Sequence, residues 1–220
     1  MNAQDVAAYL QSHTEFFEVY ADMLAEITIP HPHGGRAIPI SERQILALRE
    51  KSRQLENKLR ELIQFGEEND AISEKVHRLA IALLAAPELS RLIDVIHFNL
   101  REDFAVPHVA LRAWHPGASS VPGLDEASAV TRDFALSLVQ PYCSSHPMVD
   151  TGVLFGEAAP QLRSFSYIPL REGQVFGLLA LASESAQRFY PEMGMVFLKR
   201  IGELVSAALW RYLETAHPGQ

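Results

Sequence analysis

The chain has 220 residues, an apolar fraction of 48% and a formal net charge of −8. That apolar share supplies a packed core, and the length suits one ordinary domain with an extension. The acidic balance gives no general attraction for phosphate backbones or anionic lipids, so we expect neither nucleic-acid nor membrane binding.

The cysteine content and the N-terminus indicate the compartment. Cys143 is the only cysteine, so no internal disulfide framework is expected and a reducing environment is favoured. The first ten residues lack a basic start followed by an apolar run, so no secretion signal is predicted. The apolar stretch 175–183 is too short to span a bilayer. These features predict a soluble cytoplasmic protein.

The first 40 residues are predicted to form short helices and a loop. Apolar residues at steps of three and four predict helix over residues 1–30, broken near Thr14. The pattern leaves open whether this face packs on its own domain, on a second copy or on another protein. Residues 30–39 hold three prolines and two adjacent glycines, which predict a loop. His31 and His33 supply only two ligands, so no metal site is predicted.

A long helix is predicted to begin at Ser41. Ser41 and Gln44 have the spacing of a capping box, with a hydrophobic staple formed by the flanking isoleucines 40 and 45. A heptad repeat follows, with isoleucine at the first a position and leucine at every d position, which favours a parallel two-stranded coiled coil. The alternative is an amphipathic helix packed on its own domain. The predicted dimerisation residues are Ile45, Leu48, Leu55, Leu59 and Leu62.

The heptad pattern loosens at residues 66–70 and apolar spacing resumes at Ile72. Asn69 and Asp70 are either a polar interruption of one long helix or a joint, and Pro87 ends the segment. We therefore divide the chain into short helices and a loop over 1–40, a long dimerisation helix over 41–73, and an α/β domain over 74–216.

Residues 74–216 combine helical and strand patterns. Apolar spacing predicts helices over 89–104 and 125–141, the second with Phe134, Leu138 and Val139 buried, and a last helix opened by Pro191. Alternation predicts a strand over 108–114. Residues 163–170 and 175–183 are predicted to be neighbouring antiparallel strands, joined by a short hairpin that contains Gly173.

The hairpin region resembles the C-terminal half of GAF domains. The similarity rests on a strand ending in Pro169-Leu170, the turn at Gly173, an apolar strand from Val175, and Phe189 before a closing helix. The whole chain also resembles a bacterial family known as domain-of-unknown-function family 484. The matching stretches include Tyr9-Leu10, Pro30-His31-Pro32, Glu42-Arg43-Gln44, Pro141-Tyr142-Cys143 and the run from Arg188 to Gly194.

This resemblance implies an α+β fold with a GAF-like antiparallel sheet flanked by helices, preceded by a helical, coiled-coil extension. It implies no reaction. Cys143 and His146 could pair as nucleophile and base, but no orienting group or oxyanion motif accompanies them. The residues that mark cyclic-nucleotide GAF domains are missing from the sequence. We expect no enzymatic activity, and the sequence specifies no cofactor.

One strand face carries a mixed polar and aromatic set. Alternation places His108, Arg112 and Trp114 on one face, opposite the face expected to pack under the terminal helices. Arg112 would favour an anionic ligand group, unless it pairs with an acid such as Asp133. The predicted ligand-binding residues are His108, Arg112, Trp114, Tyr142, Phe155, Phe165 and Tyr167.

Two functional hypotheses follow. The first is a homodimeric regulatory module that binds a small molecule or a protein partner. The second is an interaction scaffold whose GAF-like fold holds no ligand.

Overall fold

The computed structural model describes residues 2–29, 38–118, 121–124, 126–190 and 195–215. Three short helices open the chain: α1 (Ala3–Ser12), α2 (Glu15–Val19) and α3 (Ala21–Glu26). The side chain of Asn2 accepts a hydrogen bond from the Asp5 amide and so caps α1. The predicted break near Thr14 is confirmed, because α1 ends at Ser12 and α2 begins at Glu15.

A two-residue antiparallel pair follows, formed by β1 (Thr28–Ile29) and β2 (Ile38–Pro39). The loop predicted over 30–39 is therefore shorter at its end, where residues 38 and 39 form β2. Residues 30–37, with His31 and His33, lie outside the described residues.

Helix α4 (Ile40–Ala85) is unbroken over 46 residues. The polar run 66–70 is thus an interruption of the apolar pattern within one helix and not a joint. Of the predicted capping box, the Ser41 side chain is outside the described part of the chain. Packing divides the chain into two units, residues 1–67 and 68–220, so α4 contributes to both.

The second unit is built on an antiparallel four-stranded sheet. Its strands are β3 (His108–Ala113), β4 (Tyr142–Ser144), β5 (Ser164–Glu172) and β6 (Gln174–Ser183), in the order β3-β6-β5-β4. The predicted pairing of 163–170 with 175–183 is confirmed by the register, in which Tyr167 lies opposite Ala180. The turn is tighter than predicted, because Gly173 alone separates the strands, with φ of 68°.

Helices cover one face of this sheet. They are the C-terminal part of α4, α5 (Leu89–Glu102) and α8 (Val196–Thr215), and their buried residues form one core with the odd-numbered side chains of β3. Gly202 allows α8 to approach β5, since a Cβ there would lie 2.5 Å from Cγ2 of Ile168. Gly177 allows β6 to approach β3 in the same way. The predicted opening of the last helix at Pro191 is wrong, because α8 begins at Val196 and Met195 before it is not helical; residues 191–194 lie outside the described residues.

The other sheet face is covered by α6 (Ala129–Ser137), α7 (Thr151–Phe155) and a 3₁₀ turn (Gly156–Gln161). A further 3₁₀ turn spans Pro116–Ala118. Helix α6 is shorter than the predicted 125–141, and the predicted burial of Val139 is wrong. Because α6 ends at Ser137, Val139 lies beyond it and is 86% exposed. The fold class itself is confirmed: a GAF-like antiparallel sheet flanked by helices, with an N-terminal helical extension.

Candidate functional site

The first part of α4 carries an apolar seam that is largely exposed. We use "seam" for the five predicted dimerisation residues, and each of them is about half exposed or more. The exposed fractions are 49% for Ile45, 66% for Leu48, 62% for Leu55, 58% for Leu59 and 60% for Leu62. A helix stripe of this kind normally faces a packing partner.

Ion pairs line the sides of the same helix segment. Arg53 lies 2.8 Å from Glu50, Lys58 lies 3.1 Å from Glu61, and Arg60 lies 3.8 Å from Glu56. In the heptad phase set by Ile45 at a, none of these charges occupies an a or d position. The a and d positions of the seam are therefore apolar except for Ser52 at the second a position, and the charges lie outside them, which is the arrangement of a coiled-coil strand.

Arg112 lies on the sheet face covered by α6 and α7. It is 7% exposed, and its guanidinium donates to the carbonyl oxygens of Val153 at 2.8 Å and Leu154 at 3.5 Å. It also donates to the carbonyl of Leu111 at 2.9 Å. The described contacts of Arg112 thus hold the C-terminal turn of α7, where carbonyl dipoles favour a cation.

The predicted aromatic residues lie on the same face at different depths. Phe165 and Tyr167 are 2% and 0% exposed, and their rings stack with centroids 6.3 Å apart. The Tyr167 hydroxyl accepts a hydrogen bond from the Met148 amide. Phe155 is half-buried, and Tyr142 is exposed on the edge strand β4 opposite Tyr167. Burial raises the pKa of Tyr167.

His108 and Trp114 lie at opposite ends of β3. His108 Nε2 is 2.7 Å from Oε1 of Glu184, and this contact lowers the pKa of the Glu184 carboxyl. Trp114 donates from Nε1 to the carbonyl of Val175. Six residues of extended strand separate the two side chains by roughly 20 Å. His108 lies near Phe155, at 6.5 Å between ring centroids, while Trp114 borders the hairpin turn.

Cys143 and His146 are not brought together as a nucleophile and base in the described contacts. Cys143 is 1% exposed and lies on the sheet face that is covered by α4, α5 and α8. Burial raises the pKa of its thiol, and the neighbouring Ser166 hydroxyl acts weakly in the opposite direction. His146 Nδ1 contacts the Ser145 hydroxyl instead. A buried thiol with a raised pKa is a poor nucleophile.

Sequence reasoning missed a cavity of about 250 Å³ on the side of the sheet that is covered by α4, α5 and α8. It lies between α4 near Ile72 and Lys75, the end of α5 and the start of α8. Lys75 and Arg188 line it together with apolar side chains. These two cations are far apart in the sequence, so no local pattern could have paired them.

Other chemical groupings are missing from the described ranges. Among residues 2–29, 38–118, 121–124, 126–190 and 195–215, no three His, Cys, Asp or Glu side chains converge as a metal site. No helix within those ranges combines the length and apolarity needed to cross a bilayer.

These features define a GAF-like α+β domain that carries a long helix with an exposed apolar seam. The chain belongs to the family described as "Protein of unknown function, DUF484", whose match covers residues 1–214. Comparison with curated proteins gives no match.

The solved structures that are similar to the chain include two phytochrome modules. One is the photosensory core module of a Stigmatella aurantiaca phytochrome, with 15% identity, a TM-score of 0.46, and coverage of 67% of this chain and 37% of that one. The other is the chromophore-binding domain of the unusual bacteriophytochrome RpBphP3 from R. palustris, with 12% identity, a TM-score of 0.41, and coverage of 69% and 64%. The chain spans less than two thirds of either.

Proposed function

We propose that this chain is a non-catalytic regulatory module that works as a homodimer through the seam of α4. The observation that carries the proposal is the exposure of the five seam residues on a helix that continues unbroken into the packed domain. A conformational change in the α/β domain would be transmitted along α4 to the partner chain, and a change in the partner would be transmitted back along the same helix.

The energetics support self-association. Full burial of a leucine or isoleucine side chain contributes about 1.5–3 kcal/mol, and the seam side chains have roughly half of that still to gain. A lone helical segment draws little stability from propensity alone and relies on packing of its apolar face. A second copy supplies that packing with the same spacing, because an identical heptad repeat is its natural complement.

Cross-linking through introduced cysteines tests the proposed arrangement. In a parallel, in-register coiled coil, equivalent d positions face each other, which suits the Cα separation of a disulfide. With Cys143 replaced by alanine, we expect Leu48→Cys to give a disulfide-linked dimer under mild oxidation. The matched control is Asn57→Cys, at an f position on the outer side of the helix.

The extent of disulfide cross-linking is compared between the Leu48→Cys and Asn57→Cys variants. Cross-linking of the Leu48→Cys chain alone supports the parallel seam. Equal cross-linking of both variants, or of neither, contradicts it.

The second candidate function is the interaction scaffold without a ligand between the sheet and its cover. Complete burial of Phe165 and Tyr167 favours it, since these rings fill space where a ligand would lie. The ligand site of His108, Arg112, Trp114, Tyr142, Phe155, Phe165 and Tyr167 stays a proposal. Its test is a thermal-shift screen of anionic metabolites on wild type and Arg112→Ala. A shift lost in the variant favours the site.

A further inference from the structure

The cavity beside α4 has a mixed lining of large apolar side chains and two cations. Its volume is about 250 Å³, and it lies on the opposite side of the sheet from Arg112. Leu181 and Phe189, which are 1% and 2% exposed, form part of its inner wall. Phe104 and Phe197 add aromatic surface from the end of α5 and the start of α8. The cavity is partly open to solvent.

Lys75 and Arg188 give this apolar cavity its electrostatic character. Lys75 is half-buried, and over the described ranges its ammonium takes part in no ion pair or hydrogen bond. The Arg188 guanidinium donates to the Phe104 carbonyl and lies 5.9 Å from the Phe189 ring centroid. No described residue of the lining is acidic. Two cations with no acid among the described lining residues attract an anion, and the low polarity around them strengthens that attraction.

The rim of the cavity includes strained backbone. Ala105 has φ of 51°, a left-handed conformation that disfavours residues with a Cβ. The strained turn is held by the hydrogen bond from the Val106 amide to the Leu100 carbonyl. It directs Phe104 and Val106 into the cavity lining on either side. Strain of this kind concentrates at ligand clamps and switch regions.

We propose that this cavity binds a medium-chain carboxylate, with the carboxylate at Lys75 and Arg188 and the apolar tail against the aromatic wall. The volume corresponds to about eight water molecules at roughly 30 Å³ each, which fits a ligand of about ten non-hydrogen atoms. Such a ligand bridges α4, α5 and α8. Binding here goes beyond the proposed dimeric role and does not depend on it.

Thermal shift and titration calorimetry on the full chain test the proposal with three eight-carbon probes. Octanoate has the predicted charge and size, octan-1-ol has the same tail without charge, and octylamine has the opposite charge. We expect octanoate to raise Tm and to bind about tenfold more tightly than octan-1-ol, as one charge-assisted contact implies. Octylamine should give no shift.

Charge-removing variants locate the binding site. Lys75→Met and Arg188→Met remove the charge but keep an unbranched apolar side chain, and each should weaken octanoate binding about tenfold while leaving octan-1-ol binding unchanged. Lys199→Met is the matched control, since Lys199 is an exposed lysine of α8 outside this lining. Octanoate affinity should be unchanged in the control.

Three results would overturn the proposal: no octanoate binding to wild type, equal affinity for octanoate and octan-1-ol, or equal losses in Lys75→Met and Lys199→Met. Light scattering on the same samples reports the dimer separately. The experiments therefore distinguish failure of the proposed carboxylate binding from failure of the proposed dimerisation.

Discussion

The Arg112 guanidinium donates from Nη2 to the carbonyl oxygen of Val153 over 2.8 Å and so ties β3 to the C-terminal turn of α7. The contact joins the sheet to a five-residue helix in a segment rich in glycine and proline. It gives this buried cation a structural role, whether or not an anion also reaches it.

Replacing Arg112 with alanine should lower the free energy of unfolding by about 2–4 kcal/mol. The variant leaves buried carbonyls without a donor and opens space beneath α7. Urea denaturation measures the change. The control is Arg91→Ala, which removes an exposed arginine paired with Asp94 and should cost less than about 0.5 kcal/mol. Equal losses in the two variants would contradict a structural role for Arg112.

The stability of the fold should decline in alkaline solution. Burial raises the pKa of the Cys143 thiol and the pKa of the Tyr167 phenol above their ordinary values. Both groups are neutral when protonated, so the folded chain binds these protons more tightly than the unfolded chain. Their stabilising contribution is complete below pH 9 and is lost as pH rises beyond it.

Urea midpoints between pH 8 and 10.5 measure this decline. The Cys143→Ala/Tyr167→Phe double variant should show a flatter pH dependence than wild type. Tyr9→Phe, which alters an exposed tyrosine, should leave the slope unchanged. An unchanged slope in the double variant would show that other groups cause the decline.

Gly177 should not tolerate a side chain. A Cβ there would lie 2.7 Å from the Arg112 carbonyl oxygen in the paired strand. Gly177→Ala must therefore push β3 and β6 apart, at a cost of about 1–3 kcal/mol. Gly66→Ala is the matched control, because it lies within α4 and, apart from the backbone and chain neighbours of its own helix, no described atom lies within 4 Å of the added methyl. The control should gain roughly 1 kcal/mol from helix propensity. A Gly177→Ala chain as stable as wild type would argue against the β3–β6 register.

Local patterns predicted the elements whose signals lie close together in sequence. The β5–β6 hairpin follows from alternation around Gly173, and the break near Thr14 follows from the change in apolar spacing. Apolar periodicity wrongly predicted that Val139 is buried, because the pattern does not show that α6 ends at Ser137, before Val139. The short helix α7 was missed because five residues are too few to show helical periodicity, although the Asp150 side chain caps its Gly152 and Val153 amides.

The site was less predictable than the fold, because its contacts are long-range. Alternation correctly placed Arg112 on the face away from the terminal helices, but nothing in the sequence near it marks the α7 carbonyls as its partners. Lys75 lies on α4 and Arg188 in the loop after β6, so they line one cavity only through long-range packing. The seam was visible in the sequence because a heptad repeat is a local pattern.

The solution mass of the protein tests the central claim most directly. Multi-angle light scattering should give wild type twice the 24.5 kDa mass of one chain. Leu48→Asp/Leu55→Asp places charges at two successive d positions, so this variant should elute as a folded monomer of 24.5 kDa. A variant with the same mass as wild type, or a wild type that is itself monomeric at micromolar concentration, would contradict dimerisation through the seam.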